Sequence, residues 1–275
     1  VWGDLAEIDN QNSADREHLW EFWGQLVERY LELGFQGFRC DAAYKVPAEL
    51  WSFLINRALR VNPQAVFWAE NLGCTLEQTR ALGNAGFHLF CNSAKWWNFK
   101  DVWCLNQHRE FQNMPSIGFP ESHDTPRLAA ESGGNESVQR QRYAFAALFS
   151  SGLMIPIGYE FGFQQSLHVV TTTPDDWESP KWDLQNFIRA VNQWKLDVPL
   201  WHGEGELVQR SVNNSNLCVL ERRSLENPDS WALICLNTNV HEQVDVSIGE
   251  IGALPSSPSM WRASWLDHRA VGLPD

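Results

Sequence analysis

Short apolar strands alternate with amphipathic helices along the first 200 residues, and this alternation limits the possible folds most. The pattern predicts strands over residues 37–43, 65–72, 86–91, 116–124 and 153–160. It predicts helices over residues 13–33, 47–61, 76–82, 96–111, 138–149 and 184–194. Strands and helices that alternate every 25 to 30 residues or so form a parallel sheet. A parallel sheet that continues to curl closes into a (β/α)₈ barrel, so we predict an α/β barrel fold.

The chain after about Gly203 follows a different pattern. Runs of alternating character predict strands over residues 206–211, 217–223, 231–236, 243–246 and 260–265, separated by turn-forming residues. We therefore expect part of a catalytic barrel over residues 1–203 and a small antiparallel β domain over residues 204–275. Truncation of the second domain stays an open alternative. Because the chain begins at Val1 without an initiator Met, we expect it to be part of a longer protein.

Charge and cysteine usage exclude several classes of partner. The chain carries 34 acidic and 21 basic residues, a net charge of −13, and no run of Lys or Arg. Such a surface repels phosphate backbones and anionic lipids, so nucleic acid and membranes are not expected partners. The longest apolar stretch, residues 143–163, is interrupted by Ser, Gly, Pro and Glu and predicts no transmembrane helix. The six cysteines lack zinc-ligand spacing, which predicts buried thiols, a cytoplasmic location, no metal site and no cofactor.

Carboxylates stand at the C-terminal ends of three predicted strands: Asp41, Glu70 and Asp124. In a barrel these ends form the active-site face. Asp41 and Glu70 are one strand–helix unit apart, which places them on neighbouring strands. Two carboxylates about 5 Å apart can flank a glycosidic bond, one as nucleophile and the other as proton donor. The pattern therefore predicts glycoside chemistry with retention of configuration.

Neighbouring residues fit these roles. Arg39 lies on the same strand face as Asp41, where a guanidinium would hold the carboxylate ionised and oriented. Trp68 stands in the same relation to Glu70, where an apolar neighbour would favour the protonated acid. His123 adds a hydrogen-bond donor for a sugar hydroxyl beside Asp124.

Each of these residues also has a structural interpretation. Arg39 and Asp41 could form an inert buried ion pair. Asp124, which precedes Thr125 and Pro126, could cap a helix, and Glu70 could be a loop or capping residue. The coincidence of all three carboxylates at the same end of their strands favours a functional role.

Three segments carry a resemblance to the α-amylase family, glycoside hydrolase family 13. The segment Gly37–Ala43 resembles the second signature segment of that family, Phe67–Asn71 resembles the third, and Glu121–Asp124 resembles the fourth, in the same order. The resemblance implies the fourth to eighth strands of a (β/α)₈ barrel followed by an antiparallel β domain. It also implies a retaining glycosidase or transglycosidase that acts on α-1,4-linked glucans through a covalent glycosyl-enzyme.

Roles follow from the resemblance position by position. It implies Asp41 as the nucleophile, Arg39 as its partner and Glu70 as the general acid/base. It implies that His123 and Asp124 bind hydroxyl groups of the reacting sugar, with Asp124 completing the catalytic set. The expected substrate is an α-glucan or a malto-oligosaccharide.

Within the family, the maltosyltransferases that use maltose 1-phosphate are the most similar subgroup, on residues 2–10, 158–160 and 175–177. Phosphate or maltose 1-phosphate is therefore a further expected reactant. The usual Asn-Pro-His after the nucleophile is replaced by Ala42, Ala43 and Tyr44. Tyr44 becomes a candidate substrate-binding residue. Trp96, Trp97 and Tyr159 are further aromatic candidates for excluding water from the site.

Two departures keep an alternative open. Nothing in the chain corresponds to the first signature segment of the family, so we expect the isolated chain to lack a complete active site. Ser122 also replaces the usual Asn of the fourth segment. The alternative is a non-catalytic glucan-binding or scaffold module derived from an incomplete barrel.

Overall fold

The computed structural model describes residues 6–245 and residue 251. The chain divides into two compact units, Val1–Cys91 and Asn92–Asp275, which are described in turn.

The first unit is a parallel sheet with intervening helices. Its elements are α1 (Arg16–Glu32), β1 (Gly37–Cys40), α2 (Ala48–Val61), β2 (Val66–Ala69), α3 (Leu76–Ala85) and β3 (Leu89–Cys91). β1 pairs in parallel with β2 and β2 with β3, with Cys40 opposite Ala69 and Ala69 opposite Phe90. Pro47 directly precedes α2, and Thr75 caps α3 by accepting a hydrogen bond from the Gln78 N–H. These local signals mark where α2 and α3 begin, after the loops that follow β1 and β2.

Helices α1 and α2 are joined by a charged cluster at the surface. The Arg57 side chain donates to Glu28 Oε1 at 2.6 Å and to Glu21 Oε1 at 2.9 Å. The hydrogen bond from Arg57 lowers the pKa of Glu21 to about 2. Gly24 leaves the space that the guanidinium occupies, since a Cβ there would lie 2.7 Å from Arg57 Nη1. This cluster therefore pairs opposite charges near solvent.

The second unit combines α/β elements with a separate antiparallel sheet. Its elements are α4 (Trp103–Phe111), β4 (Ser116–Gly118), α5 (Leu128–Glu131), α6 (Glu136–Phe149), β5 (Gly152–Leu153), α7 (Gln185–Asp197), β6 (Glu206–Arg210), β7 (Leu217–Arg223) and β8 (Trp231–Asn237). β4 and β5 are parallel, with Ile117 opposite Gly152. β6, β7 and β8 form an antiparallel meander. An aromatic core that includes Trp97, Phe145 and Trp201 also contains apolar residues of this meander.

Two cationic side chains donate hydrogen bonds to main-chain carbonyls at the C-terminus of α6. Arg222, which is fully buried, donates to Leu148 O at 2.8 Å, and Lys195 Nζ donates to Ala147 O at 2.8 Å and to Ser150 O at 2.7 Å. The last carbonyls of a helix have no partner within the helix and attract positive charge. In the second unit, buried positive charges thus provide hydrogen-bond donors for the last carbonyl groups of α6.

Several predicted elements are shorter than expected. The predicted helix 96–111 is helical only from Trp103, because Trp97 is completely buried and donates to Asp101 O at 2.7 Å in an irregular segment. The predicted strand 116–124 ends at Gly118, and 153–160 is a strand only at Gly152–Leu153. The short helix α5 was not predicted.

The predictions near the C-terminus have mixed outcomes. Residues 243–245 of the predicted strand 243–246 are not a strand. Residue 246 and the predicted strand 260–265 lie outside the described residues, as do residues 2–5 of the segment 2–10. The domain boundary at residue 203 stays a prediction.

No helix in the described ranges 6–245 and 251 is long and apolar enough to cross a membrane. All six cysteines are free.

Candidate active site

Asp41 and Glu70 follow two paired strands at the same end. Each comes one residue after the last paired position of its strand, Cys40 in β1 and Ala69 in β2. The Glu70 N–H donates to Cys40 O at 2.9 Å, and the Ala43 N–H donates to Glu70 O at 2.9 Å, so parallel pairing continues past the strand ends. Neighbouring strands lie about 4.8 Å apart. The two carboxylate-bearing residues are therefore direct neighbours.

The Asp41 carboxylate is accessible and oriented. Its side chain is 72% exposed, and its Oδ1 lies 2.6 Å from Arg39 Nη1. The Arg39 guanidinium lies 5.8 Å from the centre of the Trp68 ring, in a position for a cation–π contact. The Arg39–Asp41 pair is consequently not the buried ion pair of the structural interpretation. An exposed, oriented carboxylate can reach a substrate.

The Glu70 carboxylate is held by the main chain. Its Oε2 accepts the Ala42 N–H at 2.9 Å and its Oε1 accepts the Leu72 N–H at 2.7 Å. The described partners of this carboxylate are thus backbone donors, whereas the Trp68 ring faces the Arg39 guanidinium. Oε2 is thereby bound to the residue that follows Asp41.

Tyr44 lies near both carboxylates in the single helical turn Ala43–Lys45. Burial, and then the charges of Glu70, Cys74 and Asp41, raise the pKa of the Tyr44 hydroxyl above its ordinary value. Its phenol therefore stays neutral and keeps its proton for donation. The structure brings Tyr44, Asp41 and Glu70 together within the first unit.

The second unit carries the other predicted site residues in the loop after β4. Glu121 is fully buried and forms an ion pair with Arg127 at 2.8 Å, while its Oε2 accepts the Leu128 N–H at 2.6 Å. Arg127 also donates to Ile157 O at 2.8 Å and to Gln165 O at 3.1 Å. Burial raises the pKa of the Glu121 carboxyl in spite of the opposing effect of Arg127. This ion pair anchors the loop.

His123 and Asp124 lie at the accessible part of that loop. His123 Nε2 is 3.1 Å from Asp124 Oδ2, and their side chains are 35% and 69% exposed. The Asp124 N–H donates to Ser122 Oγ at 3.2 Å. Helix α5 has Arg127 at its cap position, so Asp124 does not cap a helix. Its carboxylate is free to bind a ligand together with His123.

Sequence reasoning passed over Glu121 as the anchor of this loop. The available signal was an acidic residue directly after the buried Phe119 and Pro120, because a carboxylate in apolar surroundings needs a partner.

Two of the aromatic candidates cannot contact a sugar. Trp97 and Tyr159 are completely buried, and the Tyr159 hydroxyl donates to Gln139 O at 2.6 Å. Trp96 is 51% exposed and packs edge-on against Phe119. Within the described part of the chain, no three His, Cys, Asp or Glu side chains are placed to hold a metal ion.

Comparison with known proteins identifies relatives on sequence. No family model matches the chain. It is 27% identical over 250 residues to an alpha-1,4-glucan:maltose-1-phosphate maltosyltransferase of Burkholderia pseudomallei, covering 86% of this chain and 22% of that protein. It is 25% identical over 249 residues to the enzyme of the same name from Myxococcus xanthus, covering 85% of this chain and 36% of that protein. The chain thus spans about a third or less of these curated relatives.

Solved structures share the fold. The α-amylase from H. orenii matches with a TM-score of 0.66 and 16% identity, over 78% of this chain and 54% of that one. The α-amylase of Geobacillus thermoleovorans in complex with acarbose matches with a TM-score of 0.65 and 14% identity, over 82% and 54%. A debranching enzyme of Nostoc punctiforme matches with a TM-score of 0.63 and 16% identity, over 82% and 52%. The resemblance to the α-amylase family and the predicted fold class, a (β/α)₈-type barrel with an antiparallel β domain, are confirmed.

Proposed function

We propose, from this similarity to the α-amylase family, that the protein is a retaining enzyme acting on α-1,4-linked glucans through a covalent glycosyl-enzyme. One observation carries the proposal. Asp41 and Glu70 end two paired parallel strands at the same side, one accessible and paired with Arg39, the other held by backbone donors. Adjacent carboxylates of this kind are the arrangement that retaining glycosidases use.

The first step uses both carboxylates. Asp41 attacks the anomeric carbon of the sugar and forms a glycosyl ester, while Glu70 gives its proton to the departing oxygen. Arg39, 2.6 Å from Asp41 Oδ1, orients the carboxylate for this attack. Tyr44, a neutral phenol beside both groups, is placed to donate a hydrogen bond to the bound sugar.

The second step reverses the proton transfer. Glu70 takes a proton from the acceptor hydroxyl, which attacks the anomeric carbon and releases Asp41. The Ala42 and Leu72 N–H groups hold the Glu70 carboxyl group in position for this step. The family resemblance assigns His123 and Asp124 to the hydroxyls of the reacting sugar, and their accessibility supports that role.

We further propose transfer rather than hydrolysis, with maltose 1-phosphate as donor and an α-glucan as acceptor. The names of the two sequence relatives support this reaction. We also propose a cytoplasmic location, supported by six free cysteines, and a β domain that begins near residue 204, supported by the start of β6 at Glu206.

Product analysis of the full-length gene product tests the proposal. The protein is incubated with a malto-oligosaccharide, with and without inorganic phosphate, beside the variants Asp41→Asn and Glu70→Gln. Glu77→Gln, at an exposed glutamate of α3, is the matched control. We expect maltose 1-phosphate only when phosphate is present, in the wild type and the control but not in the two site variants.

Other products would decide against parts of the proposal. Cleavage by water alone would contradict transfer from maltose 1-phosphate and identify a hydrolase. A glucan left unchanged by the wild type under both conditions would contradict the enzyme and favour a non-catalytic glucan-binding module.

A further inference from the structure

Ala42 adopts a backbone conformation that is rare for alanine. Its φ of 40° and ψ of 47° place it in the left-handed region, and among residues 6–245 and 251 only Phe99 is another non-glycine residue with positive φ. This conformation disfavours every residue that carries a Cβ. Such strain persists where the surrounding structure imposes it, commonly at functional sites. Ala42 directly follows Asp41 and is only 7% exposed.

The left-handed conformation of Ala42 lets two backbone N–H groups point toward Glu70. The Ala42 N–H donates to Glu70 Oε2 at 2.9 Å, and the next N–H, of Ala43, donates to the Glu70 carbonyl oxygen at 2.9 Å. Successive residues of a regular strand face opposite sides, so the left-handed residue allows two consecutive N–H groups to reach the same neighbour. The two residues after Asp41 thereby bind the side chain and the main chain of Glu70.

The two carboxylates depend on this turn to different degrees. Asp41 is oriented by Arg39 from within β1, at 2.6 Å. Glu70 has only the N–H groups of Ala42 and Leu72 as described hydrogen-bond partners of its carboxylate. Among the described residues, Tyr44, Cys74 and Cys91 interact electrostatically with Glu70. A change at residue 42 should therefore displace Glu70 before it displaces Asp41.

We propose that Ala42 is a positioning residue, whose left-handed backbone holds the Glu70 carboxylate beside Asp41 for proton transfer in both steps. This inference rests on the proposed function. Alanine suits the position because its side chain restricts the backbone more than glycine does, while a β-branched side chain would oppose the left-handed region.

Two reactions of the full-length protein distinguish the role of Glu70 from that of Asp41. Transfer from a malto-oligosaccharide needs Glu70 as acid and as base. Reaction of an α-glycosyl fluoride with azide needs neither, because fluoride leaves without a proton and azide attacks the glycosyl-enzyme as an anion, giving a glycosyl azide and free Asp41. The variants are Ala42→Val, Ala42→Asn and Ala42→Gly. Asn is of similar bulk to Val but tolerates the left-handed region.

We expect Ala42→Val to lower kcat/KM on the oligosaccharide about 10- to 100-fold, a partial loss of the roughly 10²- to 10⁴-fold that general acid–base catalysis contributes. The rate of Ala42→Val with glycosyl fluoride and azide should change by about 3-fold or less. Ala42→Asn and Ala42→Gly should change by about 3-fold or less in both reactions. Glu70→Gln should show the same selective loss as Ala42→Val, whereas Asp41→Asn should lose both reactions.

Equal losses on both reactions, or equal losses in the Asn and Val variants, would overturn the proposal. Thermal melting checks that Ala42→Val folds. If it does not fold, replacing the amide at residue 42 by an ester removes only the N–H group. We expect the same selective loss of the oligosaccharide reaction in that ester variant. A wild type inactive in both reactions would refute the proposed function together with this inference. An active wild type with an unselective loss would refute this inference alone.

Discussion

The two units of the molecule differ in how deeply they bury the ion pairs beside their predicted site residues. In the first unit, charges pair with one another near solvent, as Arg57 does with Glu21 and as Arg39 does with the 72% exposed Asp41. The second unit also contains a fully buried ion pair: Glu121 pairs with Arg127, both at most 2% exposed. Arg222 and Lys195 in the same unit bind main-chain carbonyls at the end of α6.

This difference corresponds to two roles: the accessible carboxylates can react, whereas the buried ion pair holds a loop in place. A carboxylate that must attack or exchange protons has to remain accessible, and the first unit orients Asp41 and Glu70 without burying the nucleophile. A buried ion pair cannot react with a substrate, but it costs much to break because the remaining charge has no solvent. The second unit uses such a pair to fix the loop that carries His123 and Asp124.

The largest effect on stability is expected from Arg127→Met. This change leaves the Glu121 carboxylate buried without its partner, and we expect the free energy of unfolding to fall by about 3–5 kcal/mol. Urea unfolding followed by tryptophan fluorescence measures it. A loss below about 1 kcal/mol, the value typical of surface pairs, would break the distinction between the two units.

An intermediate effect is expected from the pH dependence of Lys195. Burial, and then the charge of Arg222, lower the pKa of Lys195 to about 8, whereas the unfolded chain has the ordinary value of about 10.4. Between these values the unfolded state binds more protons, so this group makes the protein more stable as pH rises. Relative to Lys195→Met, the wild type should gain about 2 kcal/mol between pH 8 and pH 10. Parallel stability curves for the two proteins would show that burial does not set the charge of Lys195.

The smallest effect on stability, with a large effect on activity, is expected from Arg39→Met. The Arg39–Asp41 pair is largely exposed on the Asp41 side, so its loss should cost less than about 1 kcal/mol of unfolding free energy. Its kcat/KM should nevertheless fall about 100-fold, because the nucleophile loses its orienting partner. Loss of stability as large as in Arg127→Met would mean that both units anchor their structure in the same way.

The first unit was largely predictable from sequence. Gly34 and Pro47 bound a short apolar run, so the presence of β1 and the position of Asp41 near its C-terminal end were predictable, although β1 ends at Cys40 and not at residue 43. The similar boundaries of β2 placed Glu70 on the neighbouring strand. The left-handed turn at Ala42 was not predictable, because no glycine or asparagine marks it and the contact with Glu70 that stabilises it is distant in sequence.

The second unit was less predictable because tertiary contacts override local pattern there. The spacing of apolar residues continues a helix through residue 97, but burial of Trp97 in the aromatic core breaks it. Glu121 and Arg127 are ordinary charged residues in the sequence, and only the fold shows that both are enclosed.

Trapping the covalent intermediate tests the central claim most directly. A fluorinated α-glycosyl fluoride reacts readily with a retaining nucleophile but forms a slowly hydrolysed ester, and mass spectrometry of peptides from the full-length protein locates it. We predict a single glycosyl label on Asp41, with no label in Asp41→Asn. A label on another carboxylate, or turnover with inversion and no labelled peptide, would contradict the assignment of Asp41 as nucleophile.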